Sequence, residues 1–519
     1  MVGRRLSGAN MTRSFCLISA AALLMACSDD PNKSNLNNEP DGGVNNNIAT
    51  DGSTENANNS DGGANNVLPG DGGANNNVAD MNAPDLPTGP TDFALKIDCS
   101  DSSADVYATP ISPGEPGEVL ACAVSEVATA AEVELRLIGI DGLTISTGYQ
   151  SYLIAYRTTR ATGEPGVGSM LLYAPSENVR DVAQSALVVA NHGGAAVPDA
   201  CAPSMVGQGF AGTNSLALPF VGRGYPVALP DFAGFGTEGV MGFANTIDLG
   251  QSALDAARAA RNAFGPASLD ARVLSIGQAE GASASYAMQA LNSTYAADVT
   301  VAGAVGYATS YPRVSYAELL RLGGVFPLVD GLGILRTVAA LVAYTDFYNL
   351  FGAARARDVF NTNVRDYVGD AVETQCFVEL ALTLATTTAN YTPPVVIAGL
   401  IDDAFRMDVV NCLNQVPCGA DAQTFVDRAA ANIVPLDPAG GDLLFVSAFG
   451  GTTPNPQEQA CLLEWIEQNG PTPTECLWSG ANNVNISRQA ASYAVDWGIA
   501  TLEGDAPPAC PEGPFPPCN

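Results

Sequence analysis

The chemistry this chain could perform gathers around two short glycine-containing segments. One is Gly277, Gln278, Ala279, Glu280 and Gly281, lying between a β-rich run, Val273–Gly277, and a helix-forming stretch, ASASYAMQAL. The other is Asn191, His192, Gly193 and Gly194, which follows an apolar run at Ala186–Ala190. Glycines at such bends let the backbone turn sharply and leave N–H groups facing a common point. The N–H of Glu280 and one from Gly193 or Gly194 are therefore expected to converge on an anion or a carbonyl oxygen. His192 is the only histidine in 519 residues, so general-base chemistry by imidazole has one candidate. Ala279, at the centre of the first bend, carries no hydroxyl or thiol.

Around these segments the chain supplies a substantial core, with 47% hydrophobic residues, and a strongly acidic surface, with a net charge of −32. That charge excludes nucleic-acid binding, which needs a positive patch to displace phosphate counterions. Lys33 and Lys96 are the only lysines. A salt-adapted surface and a set of acid-rich loops both fit this balance. No cofactor is expected, and neither is a metal site, since the chain has no C-x-x-C and a single histidine.

Residues 1–27 read as an export signal. Arg4, Arg5 and Arg13 form a positive region ahead of Phe15–Ala26, an apolar stretch too short to span a bilayer, and either Met1 or Met11 could be the start. The stretch ends in Leu24, Met25, Ala26 and Cys27, which resembles the bacterial lipobox. The resemblance implies a lipid-modified Cys27 at the mature N-terminus and an envelope location, with Ser28 favouring the outer membrane. From 28 to 90 the sequence becomes Asn-, Asp- and Gly-rich, with Asp41, Asp51, Asp61 and Asp71 recurring every ten residues. It offers little apolar surface to bury and reads as a disordered tether, of roughly 40–45 Å r.m.s. span. Setting aside Cys16 and Cys27 leaves ten cysteines, an even number that in an exported chain implies five disulfides. Mostly local pairing is expected: Cys99–Cys122, Cys412–Cys418, Cys461–Cys476 and Cys510–Cys518, with Cys201–Cys376 long-range.

Residues 91–519 alternate β-rich and helical patterns, which predicts a mainly parallel sheet covered by helices. Tyr152–Thr158 and Ser169–Tyr173 flank a Gly–Glu–Pro–Gly turn, as in an antiparallel hairpin. Further strands are read at Ala186–Ala190, Pro226–Leu229, Arg272–Ile276 and Leu443–Ala448, the last paired with a helix at Gln457–Gln468. Helices are also read at Ile247–Ala263 and, closing the chain, near Ser487–Ile499.

Five segments, in order, resemble the secretory lipase (lipase A-like) family of the α/β-hydrolase fold. They are YRTTRATGEPGVGSMLLYAP, NHGG, DACAPS, LPDFAGFGTEG and SALDAARAARNA. The resemblance implies a G-x-S-x-G turn exposing a nucleophilic serine, an acid after a late strand, and a histidine before the last helix. In this chain the three positions hold Ala279, Gly451 and Asn483 (or Asn482), with Asp402 or Asp403 as the only nearby substitute for the acid. Ser275, Ser283 and Ser285 do not occupy the turn. A rearranged site using His192 with Glu280 or Asp231 would be a different mechanism.

Between Ser310 and about Pro435 lies a helical lid insert, whose stretch Gly331–Gly352 is apolar on more than one face. It reads as a helix buried within the lid or as a lipid-contacting surface. The expected function is an envelope-anchored pseudo-hydrolase. It would bind an apolar or acyl-containing ligand, or a protein partner, through His192, Gly193, Gly194, Gln278, Ala279 and Glu280. An active carboxylic ester hydrolase with a rearranged site, and a structural surface protein with a vestigial pocket, are the competing readings.

Overall fold

The computed structural model describes residues 93–518 except 178–184, 195, 207–212, 266–267, 323–333, 390–396, 452–455 and 484. The export signal with Cys27 and the tether therefore lie outside the described residues.

Nine strands form one sheet: β1 Val119–Ala128, β2 Tyr149–Thr159, β3 Pro165–Pro175, β4 Leu187–Asn191, β5 Val227–Ala233, β6 Arg272–Gln278, β7 Thr300–Tyr307, β8 Asp442–Ala448 and β9 Thr474–Trp478. Their order is β1-β2-β3-β5-β4-β6-β7-β8-β9. The first three strands and β5 pair antiparallel, and β5 through β9 run parallel. The expected hairpin is present, with Thr159 opposite Pro165 across the Gly163 turn. β4 reads Leu-Val-Val-Ala-Asn and is buried throughout, as a central parallel strand covered on both faces must be.

The helices needed below are α1 Thr246–Phe264, α2 Glu280–Tyr295, α3 Ile334–Phe351, α4 Phe377–Ala389, α5 Ala420–Ala431, α6 Pro456–Asn469 and α7 Ala491–Glu503. Asn245 caps α1 by accepting from the N–H of Asp248. α1 carries alanine at 253, 256, 257, 259, 260 and 263, all buried, so a small-residue face lies close against the sheet. One apolar cluster joins α1, α2 and the insert to one face of the sheet. A second packs α7, with fully buried Trp497, on the other.

Three strands lie outside the sequence expectation, the first being β1 at one edge of the sheet. β7, Thr-Val-Ala-Gly-Ala-Val-Gly-Tyr, carries Gly303 and Gly306 where β-formers would signal a strand. The glycines are required by packing: a Cβ on Gly306 would stand 2.5 Å from the Tyr286 hydroxyl, and one on Gly303 would stand 2.9 Å from Thr501 Cγ2. β9 extends the sheet beyond β8, the last strand legible in the sequence. The closing helix is also divided, into Ile486–Gln489 and α7.

The insert occupies the connection between β7 and β8. In α3, Val338 to Tyr344 are all buried, so this helix lies within the insert rather than against lipid. Phe347 meets Phe405 edge-on at 4.8 Å and Phe351 at 5.0 Å. Among the described residues, no helix is long and apolar enough to cross a membrane. The insert docks on the core through Arg160 at the end of the hairpin. Arg160 Nε and Nη2 donate to the Asp248 carboxylate (3.0 and 2.7 Å), and Nη2 also reaches Asn349 Oδ1 of α3 at 3.2 Å.

Among the described residues five disulfides form, and three match the expected pairs: Cys99–Cys122, Cys201–Cys376 and Cys412–Cys418. The remaining two correct the expectation, pairing Cys461 with Cys518 and Cys476 with Cys510. The reason is the path of the C-terminal tail. It returns across β9, with the Leu477 N–H donating to the Gly513 carbonyl and Phe515 edge-on to Phe445. Sequence neighbours are thereby separated and distant cysteines brought together.

Candidate functional site

The site sits at the carboxyl ends of β4 and β6, where parallel α/β sheets bind ligands. β6 turns into α2 through Ala279, at φ 54° and ψ −113°, a conformation that costs a non-glycine residue energy. The turn is held by the Ala279 N–H, which donates to the Tyr307 carbonyl at 2.9 Å. Its carbonyl accepts from the Ser283 N–H at 3.2 Å. The flanking glycines are obligatory: a Cβ on Gly277 would lie 2.1 Å from the Gly281 carbonyl oxygen, and one on Gly281 would lie 2.0 Å from that of Asn191. The strand-to-helix elbow is thus fully built, with a methyl group at its apex.

The NHGG segment packs directly on this elbow. A Cβ on Gly193 would meet the Gln278 carbonyl oxygen at 2.4 Å and the Ala279 methyl at 3.3 Å. Gly193 and the start of α2 are therefore neighbours, as an oxyanion cradle requires, and the positive end of the α2 dipole adds to the field there.

His192 belongs to this segment, and its ring is turned into the core. It is fully buried, 4.8 Å from Phe232 and 6.0 Å from Phe235 between ring centroids. Nε2 lies 3.4 Å from the Asp231 carbonyl oxygen. Burial pushes its pKa down to about 4, against the smaller upward pull of hydrogen bonds with the Asp231 and Gly193 backbone. The ring is neutral at pH 7 and packs against phenylalanines.

Glu280, the residue after the apex, is buried and its Oε1 accepts the Ala244 N–H at 2.6 Å. Gln278, the residue before it, donates from Nε2 to the Asn483 carbonyl at 2.8 Å. The loop carrying Asn483 is shaped by reciprocal bonds between Asn482 and Asn485 and is thereby fixed beside the elbow. Gly450 donates its N–H to the Ala481 carbonyl, and Gly451 donates to that of Ala448, closing the turn after β8. The loops bearing Ala279, Gly451 and Asn483 are accordingly adjacent. Asp402 and Asp403 are not part of this arrangement. Asp402 caps a helix of the insert, Asp403–Leu413, by accepting the Phe405 N–H. The nearby serines are committed to packing contacts: Ser285 donates to the Gly281 carbonyl, Ser275 contacts Met288 Sδ at 3.1 Å, and Ser283 meets Ser310 at 3.3 Å.

Asp231, read from the sequence only as a partner for His192 in a rearranged site, has a different role in the structure. Asp231, at the end of β5, is fully buried, and its carboxylate accepts from Ser169 Oγ at 2.7 Å, from the Ser204 N–H at 2.8 Å and from Ser204 Oγ. Burial raises its pKa to about 6, partly countered by those bonds. It ties the DACAPS segment to the sheet. Both segments stood out in the sequence, but nothing in their spacing showed that one holds the other.

The fold and this elbow define an α/β-hydrolase-fold protein. Within it, residues 213–311, which include the elbow, match the secretory lipase family model. Among solved structures the chain is similar to Candida antarctica lipase A in its closed state, at 16% identity over 79% of this chain and 88% of that one, with a TM-score of 0.56. It is likewise similar to the rice cell wall degrading esterase LipA from Xanthomonas oryzae, at 16% identity over 75% and 97% of the two chains, with a TM-score of 0.55. No curated protein matches the sequence.

Proposed function

We propose that this chain is a secretory-lipase-like domain without covalent turnover, which binds an apolar or acyl-containing ligand, or a protein partner, through the retained cradle. The observation that carries this reading is Ala279 at the apex of a complete elbow, φ 54°, in a chain whose one imidazole faces Phe232 and Phe235. Loss of nucleophile or base alone costs a serine hydrolase about 10⁶ in kcat. The sequence adds an anchor to this proposal: acylation at Cys27 would hold the domain at a bacterial envelope, at the end of the 28–90 tether. Hydrolysis of p-nitrophenyl butyrate by the purified chain is expected at the buffer rate. The similar solved structures include a lipase and an esterase, which supports the opposite reading, an ester hydrolase with a rearranged site. Saturable hydrolysis abolished by His192→Phe would establish that reading instead.

A further inference from the structure

Of the five disulfides, Cys201–Cys376 joins the segment that follows the NHGG loop to the insert, across 175 residues of sequence. Cys376 is exposed and Cys201 half-buried, so the bond is open to a thiol from solution. Its two ends are attached to the site by separate routes. On the core side, Ser204 three residues later is held by the buried carboxylate of Asp231. On the insert side, Cys376 stands at the start of α4, where its carbonyl accepts the Leu380 N–H. The next residue, Phe377, stacks on Phe243 with ring centroids 6.3 Å apart and planes 15° from parallel. Phe243 precedes Ala244, whose N–H is the donor to Glu280 Oε1 beside the elbow. Disulfide, stacked rings and buried hydrogen bond thus form a continuous link from the surface to the residue after Ala279.

We propose that Cys201–Cys376 is a redox latch, and that its reduction frees α4 and opens access to the cradle at Ala279. This regulates the site assigned above and rests on that reading. The reductant is a dithiol. One of its thiolates attacks Sγ of the exposed Cys376, forming a mixed disulfide and releasing Cys201 as a thiolate that takes up a proton. The second thiol, as its thiolate, then displaces Cys376, a favourable leaving group because the α2-like positive end of α4 stabilises its thiolate. Two electrons and two protons pass to the protein, and the reductant leaves as a disulfide. Without the bond, α4 is held only by non-covalent contacts, among them its packing and the Arg336 guanidinium on the Leu384 carbonyl at 3.3 Å, and its movement away from Phe243 no longer requires straining a cross-link.

Hydrogen–deuterium exchange on the full chain tests the latch without reference to any ligand. In the Cys201→Ser/Cys376→Ser variant, amides of residues 377–385 and 243–245 are expected to exchange at least 10-fold faster, with β4 and β6 unchanged. The Cys412→Ser/Cys418→Ser variant is expected to leave those segments at the wild-type rate. Unchanged exchange at 377–385, or an equal rise throughout the sheet, would overturn the proposal. Should the double variant not fold, brief dithiothreitol treatment of the wild type with peptide mapping replaces it. Cys201–Cys376 is expected to open before Cys461–Cys518, and the reverse order would overturn the latch. Binding of 1-anilinonaphthalene-8-sulfonate reads the pocket separately. A rise on reduction that follows the exchange supports both readings, whereas faster exchange with no dye binding in either state supports the latch and counts against an apolar pocket.

Discussion

The side-chain amide of Gln278 lies 2.8 Å from the backbone carbonyl of Asn483, joining the elbow to the loop before the final helices. In the family pattern these two places hold the residue next to the nucleophile and the general base. Here the loops are in contact, and the two positions hold a methyl and an amide. The function proposed above reads this as a frame kept without the atoms that attack and carry protons.

Ala279→Ser alone is expected to leave ester hydrolysis within about two-fold of the buffer rate, because no imidazole faces the new hydroxyl. Adding Asn483→His and Gly451→Asp is expected to raise the rate above that of the single variant. Steady-state assay with p-nitrophenyl butyrate distinguishes the two. Rescue by the single change would place a base that the geometry lacks.

Ala279→Gly is expected to stabilise the fold by about 1 kcal/mol, since glycine adopts φ 54° without the Cβ penalty. Urea denaturation should show a higher midpoint at an unchanged slope. A lower midpoint would mean that the methyl contributes more by packing than the backbone conformation costs.

His192 and Asp231 give stability opposite dependences on pH. The pKa of His192 is lowered to about 4, so the stability from its burial is complete above pH 6.5 and is lost as pH falls towards 4. The pKa of Asp231 is raised to about 6, so its contribution is complete below pH 3.8 and is lost as pH rises through 6. Each amounts to about 3 kcal/mol across its window, and the two oppose each other between pH 4 and 6. Removing the second in Asp231→Asn is expected to leave stability rising with pH more steeply than in the wild type over that interval. Parallel profiles from chemical denaturation at pH 4.5, 5.0, 5.5 and 6.0 would contradict the assignment.

Asp248→Asn is expected to destabilise by about 3–5 kcal/mol, because it leaves the buried Arg160 guanidinium without its charge partner. The loss should appear first as faster amide exchange in α3, through the Arg160–Asn349 contact. Uniform loss across the sheet would remove Arg160 from the docking of the insert.

Much of this was legible in residue order. The Gly163 turn between two β-rich runs gave the hairpin, and β4, β5 and β6 were readable because a buried parallel strand is a continuous apolar run. β7 was not, since its glycines serve contacts with Tyr286 and Thr501 that no local pattern reveals. The exchanged pairings of Cys461 and Cys476 escaped for a related reason: they depend on where the tail returns, a long-range fact. At the site, the missing hydroxyl at Ala279 and the single histidine needed only the sequence. The orientation of His192 towards Phe232 and Phe235, and the role of Asp231 in holding Ser204, required the packed structure.

The central claim is tested most directly by incubating the full chain with a fluorophosphonate and measuring its intact mass. The mass of the unmodified protein is expected after prolonged exposure. A stoichiometric adduct on any serine would show an activated nucleophile and contradict it.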